Sequence, residues 1–211
     1  MINILGKIPH KVIIACSGGV DSMAVVDFLQ AGGREVILAY FDHGTEHGSK
    51  ARDFVKKYAD RFSLPLHVGF FKCELEPGKS TEAEWRDARY VFFESVIEIY
   101  DDVPLITCHH LDDQIETWIF SAMHGKPKTI PAKRGRHIIR PFLLTKKKDF
   151  SDWARRKNVP FVTDPSNCDT KYMRNHIRHN IVPQAMIVNP GLHKTLYKKT
   201  KEAFLKQEVK A

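Results

Sequence analysis

What this 211-residue sequence lacks narrows the reading first. No apolar run approaches the roughly eighteen residues that suggest a membrane span. No basic stretch followed by an apolar one opens the chain, so no signal peptide is expected. The expected address is the cytoplasm, with no membrane partner. The four cysteines, at 16, 73, 108 and 168, form no CxxC pair. That spacing fits neither a zinc site, nor an iron–sulfur ligand set, nor a disulfide framework, and reduced structural thiols are expected. The phosphate-binding pattern GxxxxGK followed by Ser or Thr is missing, and so are GxGxxG and the zinc-peptidase pattern HExxH. No internal repeat or low-complexity tract appears.

Acidic residues are scarce in one part of the chain. Residues 117–148 hold nine Lys or Arg and no Asp or Glu, and Lys133, Arg134, Arg136 and Arg140 are among the nine. From Thr145 onward there are 15 basic and 6 acidic residues, so the second part carries +9 and the rest −1 of the net charge of +8. A neutral body with a basic second part suits a polyanionic partner such as RNA, although solvated lysines explain part of it. No RNA-recognition aromatic motif or zinc knuckle accompanies the charge.

What is present is an alternation of strand-like and helix-like segments. Residues 11–16 form an almost continuous apolar run, as a buried parallel strand should. A helix over 21–31 follows, stopped by Gly32 and Gly33. Further strands are expected at 35–41, 65–71 and 103–108. Helices are expected at 49–62 (capped by Ser49, with Phe54, Val55, Tyr58 and Phe62 inward), from Ser80 or Thr81 to 100, and at 111–123, with a polar loop at 72–79. The order implies an α/β fold with a doubly wound, mostly parallel sheet and a basic helical C-terminal part. Beyond 124 come a basic loop, a short strand at 137–142, helices at 149–158 and 172–181, an extended piece at 160–162, and a last basic helix at 192–208. We expect a catalytic domain over 1–185 and a helical tail over 186–211.

Two clusters carry chemistry. The first is Ser17-Gly18-Gly19-Val20-Asp21-Ser22, directly after the first strand and opening a helix. Glycines let backbone amides approach phosphate oxygens, and a helix start adds partial positive charge. The second is His109-His110-Leu111-Asp112-Asp113-Gln114-Ile115-Glu116-Thr117, where the fourth strand turns into a helix. Asp113 and Glu116 share a helix face and could hold a metal or an ammonium group.

The loop resembles that of the N-type ATP pyrophosphatases, which implies a Rossmann-like fold, ATP as co-substrate and Mg²⁺ as cofactor. The HHxDDQxET string is similar to a signature of the tRNA(Ile)-lysidine synthetases, and further pieces follow in order. They are Asp42-His43-Gly44, the Glu82, Arg86, Arg89 and Tyr90 helix, Arg140-Pro141-Phe142-Leu143, Asp164-Pro165-Ser166-Asn167, Arg174-Asn175, Arg178 and Pro183. Trp85 departs, standing where the family usually has a small residue. The resemblance implies an ATP-dependent ligase that adenylates cytidine 34 of a CAU-anticodon tRNA at the C2 oxygen and then joins free lysine to C2. It implies nucleotide contacts from residues 17–22, Arg86 and His109. Asp42, Asp113 and Glu116 are the candidates for lysine or Mg²⁺, Asp21 also for the metal, with the division left open. His43, Arg174, Asn175, Arg178, Lys133, Arg134 and Arg136 would meet the tRNA anticodon loop. A thiolating relative and a silent RNA-binding protein of the same fold are the alternatives. The oligomeric state stays open, a homodimer included.

Overall fold

A computed structural model describes residues 1–71 and 81–209. The expected loop at 72–79, the Ser80 cap, Cys73 and the Glu82 side chain lie outside the described residues. The first strand, β1 (Lys11–Ala15), carries Val12, Ile13 and Ile14 with no exposed surface. A strand buried on both faces has no polar side to show, which is why its sequence does not alternate. Each such side chain contributes about 1.5–3 kcal/mol of burial.

β1 lies inside a six-stranded sheet with β2 (Glu35–Asp42), β3 (Leu66–Phe70), β4 (Leu105–Ile106), β5 (Lys133–Arg134) and β6 (Ile138–Ile139), in the order β3-β2-β1-β4-β6-β5. Every pairing is parallel except the β5–β6 hairpin. The chain runs outward from β1 through β2 to β3, then returns to place β4 on the other side of β1. The switch point of this doubly wound sheet therefore lies between β1 and β4, where loops diverge and ligands collect.

Helices cover both faces. Val12, Ile14, Val36, Leu38 and Ile106 pack with α1 (Val20–Ala31), α2 (Glu46–Phe62) and α5 (Lys147–Lys157). Alternate residues Ile13, Ile37, Ala39 and Leu105 pack on the opposite face with Tyr90, Phe93, Val96 and Ile97 of α3 (Thr81–Ile99). A third cluster joins Leu111, Ile115 and Ile119 of α4 (Leu111–Met123) to Ile177, Leu192 and Leu196. The last helix, α8 (Leu192–Glu208), is thereby held against α4.

Several expected boundaries move. α2 starts three residues before Ser49, capped by Thr45, whose hydroxyl accepts from the Gly48 amide at 3.0 Å. A Cβ on residue 48 would sit 2.7 Å from Asp42 Oδ1, so this glycine permits a close approach inside the helix's first turn and does not break it. Phe62 ends α2 at 45% exposure, resting on Tyr58 at 4.6 Å between ring centres rather than pointing inward. β4 keeps only two of the six residues expected. The 137–142 strand shortens to Ile138–Ile139, paired with a β5 that sequence reasoning did not foresee. The helix expected at 172–181 divides into α6 (Met173–His176) and a π-helical turn, Ile177–Ile181, followed by α7 (Val182–Val188). Such wide turns recur at functional sites.

Candidate active site

At the carboxyl ends of β1, β2 and β4 the fold leaves a cavity of about 450 Å³. Its floor is made by Ala15, Cys16, Ala39 and Tyr40, and its walls by loop residues of the two clusters found in the sequence. One wall is the 17–22 loop. Gly18 adopts φ +79°, and a Cβ there would approach Val162 and Val55 at 3.1 and 3.2 Å. The loop is braced from within: Ser22 Oγ donates to the Gly19 carbonyl at 3.0 Å and accepts from the Ser17 amide at 3.2 Å. Gly19 caps α1 without a side-chain hydrogen bond, so no side chain competes for the amides of the first turn. Those amides and the helix dipole form a cradle suited to phosphate.

Asp21 and Ser22 line the cavity from that first turn. Asp21 Oδ2 stands 3.6 Å from His110 Nε2 and 3.6 Å from Lys147 Nζ. Its Oδ1 is buried with no hydrogen-bond partner. A buried carboxylate oxygen left open is costly unless a cation or water completes it. Among the described residues no group of three or more His, Cys, Asp or Glu could hold a metal. Mg²⁺ does not require one, since it is commonly held by one or two carboxylates together with substrate phosphates and water. Asp21 and Asp113 both line the cavity and fit that mode.

The facing wall comes from the end of β4 and the start of α4. His110 and Asp113 close a reciprocal cap: the Asp113 amide donates to His110 Nδ1 at 3.3 Å and the His110 amide donates to Asp113 Oδ2 at 2.9 Å. In the neutral ring, Nδ1 accepts that amide and the proton sits on Nε2, toward Asp21. Burial opposes charge on His110, but Asp113, Asp21 and Asp112 outweigh it and raise its pKa. Burial would also raise the Asp113 pKa, yet His110, His109, Arg174 and the His110 amide hold it at about 2. Two cavity imidazoles go the other way. Burial first, then the positive charges around it, lowers His109 to about 4, although Asp113 opposes. Burial and Arg89 lower His43 to about 4. His109 Nδ1 pairs with Thr107 Oγ1 at 2.9 Å, while His43 Nδ1 is buried without a partner.

The third side is the 164–178 segment. Asp164, Asn167 and Arg174 line the cavity, with Val162 fastened to the loop by its amide on the Gly18 carbonyl at 2.9 Å. Arg178 clamps Glu116 with Nε–Oε1 at 2.7 Å and Nη2–Oε2 at 3.1 Å, and Arg174 Nε lies 3.6 Å from the same carboxylate. The pair of arginines four residues apart does share a face, directed at α4.

The residues singled out in the sequence thus fall into two groups. Ser17, Gly19, Asp21, Ser22, His43, His109, Asp113 and Arg174 meet in the cavity. Gly18 and Val20 shape the loop without lining it. Asp42 is 1% exposed and committed elsewhere, accepting from the Gly44 amide at 2.9 Å and pairing with Arg52 at 3.1 Å. Glu116 is 3% exposed beneath the arginines. Asn175 staples the 166–169 turn by donating to the Ser166 and Asp169 carbonyls at 2.8 and 3.0 Å. Arg86, Lys133, Arg134 and Arg136 stand outside the cavity lining, Lys133 paired with Glu208 at 2.6 Å. Trp85 packs against His43 at 5.1 Å between ring centres, so the family departure reaches a cavity residue. Sequence reasoning passed over Tyr40, His47 and Asn167 as cavity residues; only Asn167 had a signal, in the Asp-Pro-Ser-Asn string.

The match of a PP-loop domain family model to residues 3–185 follows the same stretch that builds this cavity, and the chain belongs to that family. Among curated proteins it is similar to tRNA(Ile)-lysidine synthases. It is 34% identical over 200 residues to the one from Persephonella marina, covering 88% of this chain and 44% of that protein. It is 31% identical over 201 residues to the one from Thermotoga sp. strain RQ2, covering 90% and 48%. The chain spans about half the length of the curated relatives it matches. Among solved structures, a U34-tRNA thiolase from Methanococcus maripaludis aligns with a TM-score of 0.72 at 15% identity, covering 94% of this chain and 73% of that one. An NH₃-dependent NAD synthetase from Campylobacter jejuni aligns at 0.53 and 13%, covering 93% and 84%. At those identities the likeness is one of fold.

Proposed function

We propose that this chain is the catalytic part of an ATP-dependent tRNA-modifying ligase that makes lysidine. The observation that carries the proposal is the convergence, in one cavity, of an uncapped helix start, an ionised carboxylate and an arginine of the basic segment. ATP would supply the adenylyl group: O2 of cytidine 34 attacks the α-phosphate and pyrophosphate leaves. The ε-amine of lysine then attacks C2, and AMP departs with O2. Residues 17–22 would hold the pyrophosphate through backbone amides, with Asp21 and Asp113 beside Mg²⁺.

The carboxylate of Asp113 gives one side of the cavity a place for an incoming cation. Asp113, at about 2, remains charged at neutral pH and can orient an ammonium group. His43 and His109, at about 4, are neutral there and add no repulsion, while each still offers a ring N–H. Asp42 and Glu116 act, in this reading, through the chain they brace: Asp42 holds the Gly44–Gly48 turn and Glu116 holds Arg174 and Arg178.

A thiolating reaction calls for a reactive thiolate, and the two cavity thiols are poor candidates. Burial raises Cys16 to about 11 and raises Cys108 well above its ordinary value. The deciding experiment incubates the chain with CAU-anticodon tRNA, ATP, Mg²⁺ and labelled lysine. Mass spectrometry should find lysine on nucleotide 34, with one pyrophosphate released per lysine. Pyrophosphate release that incorporates sulfide and never lysine would overturn the assignment in favour of thiolation; no tRNA-dependent release would leave a binding protein.

A further inference from the structure

Four arginines gather around a single tyrosine, and a fifth, Arg174, lines the same cavity. Tyr90, on α3, carries the Arg134 guanidinium carbon 3.5 Å from its ring centre, with those of Arg86 and Arg89 at 5.5 and 5.9 Å. Arg140, buried behind it, donates from Nη2 to the Tyr90 hydroxyl at 3.3 Å. Tyr90, Arg89 and Arg174 together line the cavity, and Arg134 covers Tyr90 from the β5–β6 hairpin. Aromatic faces moderate the repulsion among guanidinium groups only in part, so such a gathering favours an anion.

Nearby groups register the positive potential. Burial alone would raise the Tyr90 phenol, yet Arg140, Arg86 and Arg134 lower it. Arg89 is itself lowered, by burial and then by Arg86, Arg174 and Arg134, although Tyr90 opposes.

We propose that this cluster is a second anion subsite of the cavity, distinct from the 17–22 loop, which takes a phosphodiester of single-stranded RNA next to the nucleotide entering the pocket. The inference rests on RNA being the substrate, as proposed above, and adds where its backbone is gripped. The two anion sites lie toward opposite faces of the sheet, since the loop leads into α1 while Tyr90 belongs to α3. The hairpin carrying Arg134 extends the charge outward through exposed Arg136. A mononucleotide held by the loop has no charge to offer out there; a polynucleotide does. Guanidinium forks match phosphate oxygens in pairs, and a ring already covered by Arg134 is a platform for that fork and not for a base.

The test measures binding without turnover, so it does not depend on lysidine being made. An RNA anticodon stem-loop is titrated into the protein at several salt concentrations, and ATP–Mg²⁺ is titrated separately. Arg134→Gln should weaken RNA binding about tenfold and lower the slope of log K against log salt by about 0.7–1, the value of one phosphate contact. ATP affinity should stay within about twofold. Arg134→Lys should restore the slope, which a loss of folding would not allow. Unchanged RNA affinity in Arg134→Gln, or a parallel loss of ATP affinity, would overturn the subsite. A protein that makes no lysidine but shows the expected slope would sink the reaction and leave the subsite standing.

Discussion

The two main walls of the cavity solve the problem of charge in opposite ways. The 17–22 wall offers backbone amides, with Asp21 as its one acidic side chain, and is held by short-range hydrogen bonds among Ser17, Gly19 and Ser22. The wall of α4, α6 and the π-helical turn after it is built of full charges, Asp113 and Glu116 against Arg174 and Arg178, contributed by segments some sixty residues apart in sequence. Amides at a helix start accept an anion without any counter-charge to displace. A buried ion pair must be desolvated as a unit and is stable only while both partners are present. The first wall should therefore tolerate mutation in its stability but not in its binding, and the buried Glu116–Arg178 pair behind the second wall the reverse.

The sharpest way to break that contrast is Glu116→Ala. Removal leaves the clamped Arg178 beside a vacated, 3% exposed carboxylate position. Uncompensated buried charge costs about 3–5 kcal/mol, and the remaining exposure of Arg178 puts the expectation at the lower end. Urea unfolding should record it as a fall in midpoint at unchanged m-value. A stability within 1 kcal/mol of the parent would show that Glu116 is not a strut.

Gly18→Ala tests the other wall. The substitution forces a Cβ into the left-handed region at φ +79° and against Val162 and Val55. The conformational cost is about 1–2 kcal/mol. The effect on ATP should be larger in kind: a displaced loop should weaken nucleotide binding at least tenfold, as read by calorimetry. Full ATP affinity with the strain present would mean that nucleotide phosphates rest elsewhere.

These two residues also mark how far the sequence could be read. Gly18 announces itself locally, because a strand, a glycine pair and a helix start are contiguous. The parallel strands β1 to β4 were legible for the same reason, as each lies in an apolar run bounded by its own turn residues. Glu116 was visible as a functional-looking carboxylate, but its partners lie at 174 and 178, and no local pattern distinguishes a strut from a ligand. The Thr45 cap was hidden by Gly48, which reads as a breaker and is in fact required beside Asp42. The Tyr90–Arg134 stack depends on a β5–β6 pairing two residues long, below what periodicity can resolve.

Acid should probe the imidazoles between the walls. His43 and His109 titrate near 4 in the folded chain and near 6.5 when unfolded. Between those values the unfolded state binds more protons, so stability falls as pH falls through that window, by at most about 1.4 kcal/mol per pH unit per histidine. Asp113, depressed to about 2, loses its contribution only as pH drops through about 4 toward 2, below this window. His110, raised, works in the opposite sense. Denaturation at stepped pH should show the decline, and His109→Gln should flatten it. An identical decline in that variant would place the titration in other groups.

The smallest effect belongs to the hairpin, and it isolates what burial contributes. Lys133 pairs with Glu208 at 2.6 Å, a distance as short as that of the Arg178–Glu116 clamp, but the two side chains are 44% and 46% exposed. Water screens such a pair and the long side chains surrender entropy to form it, so exposed ion pairs contribute about 0.2–1 kcal/mol. Lys133→Ala should change unfolding stability by about 0.5 kcal/mol or less, and the difference should vanish at high salt. Were it to approach the cost of Glu116→Ala, distance and not desolvation would govern the charge pairs of this protein, and the contrast between its walls would lose its physical basis.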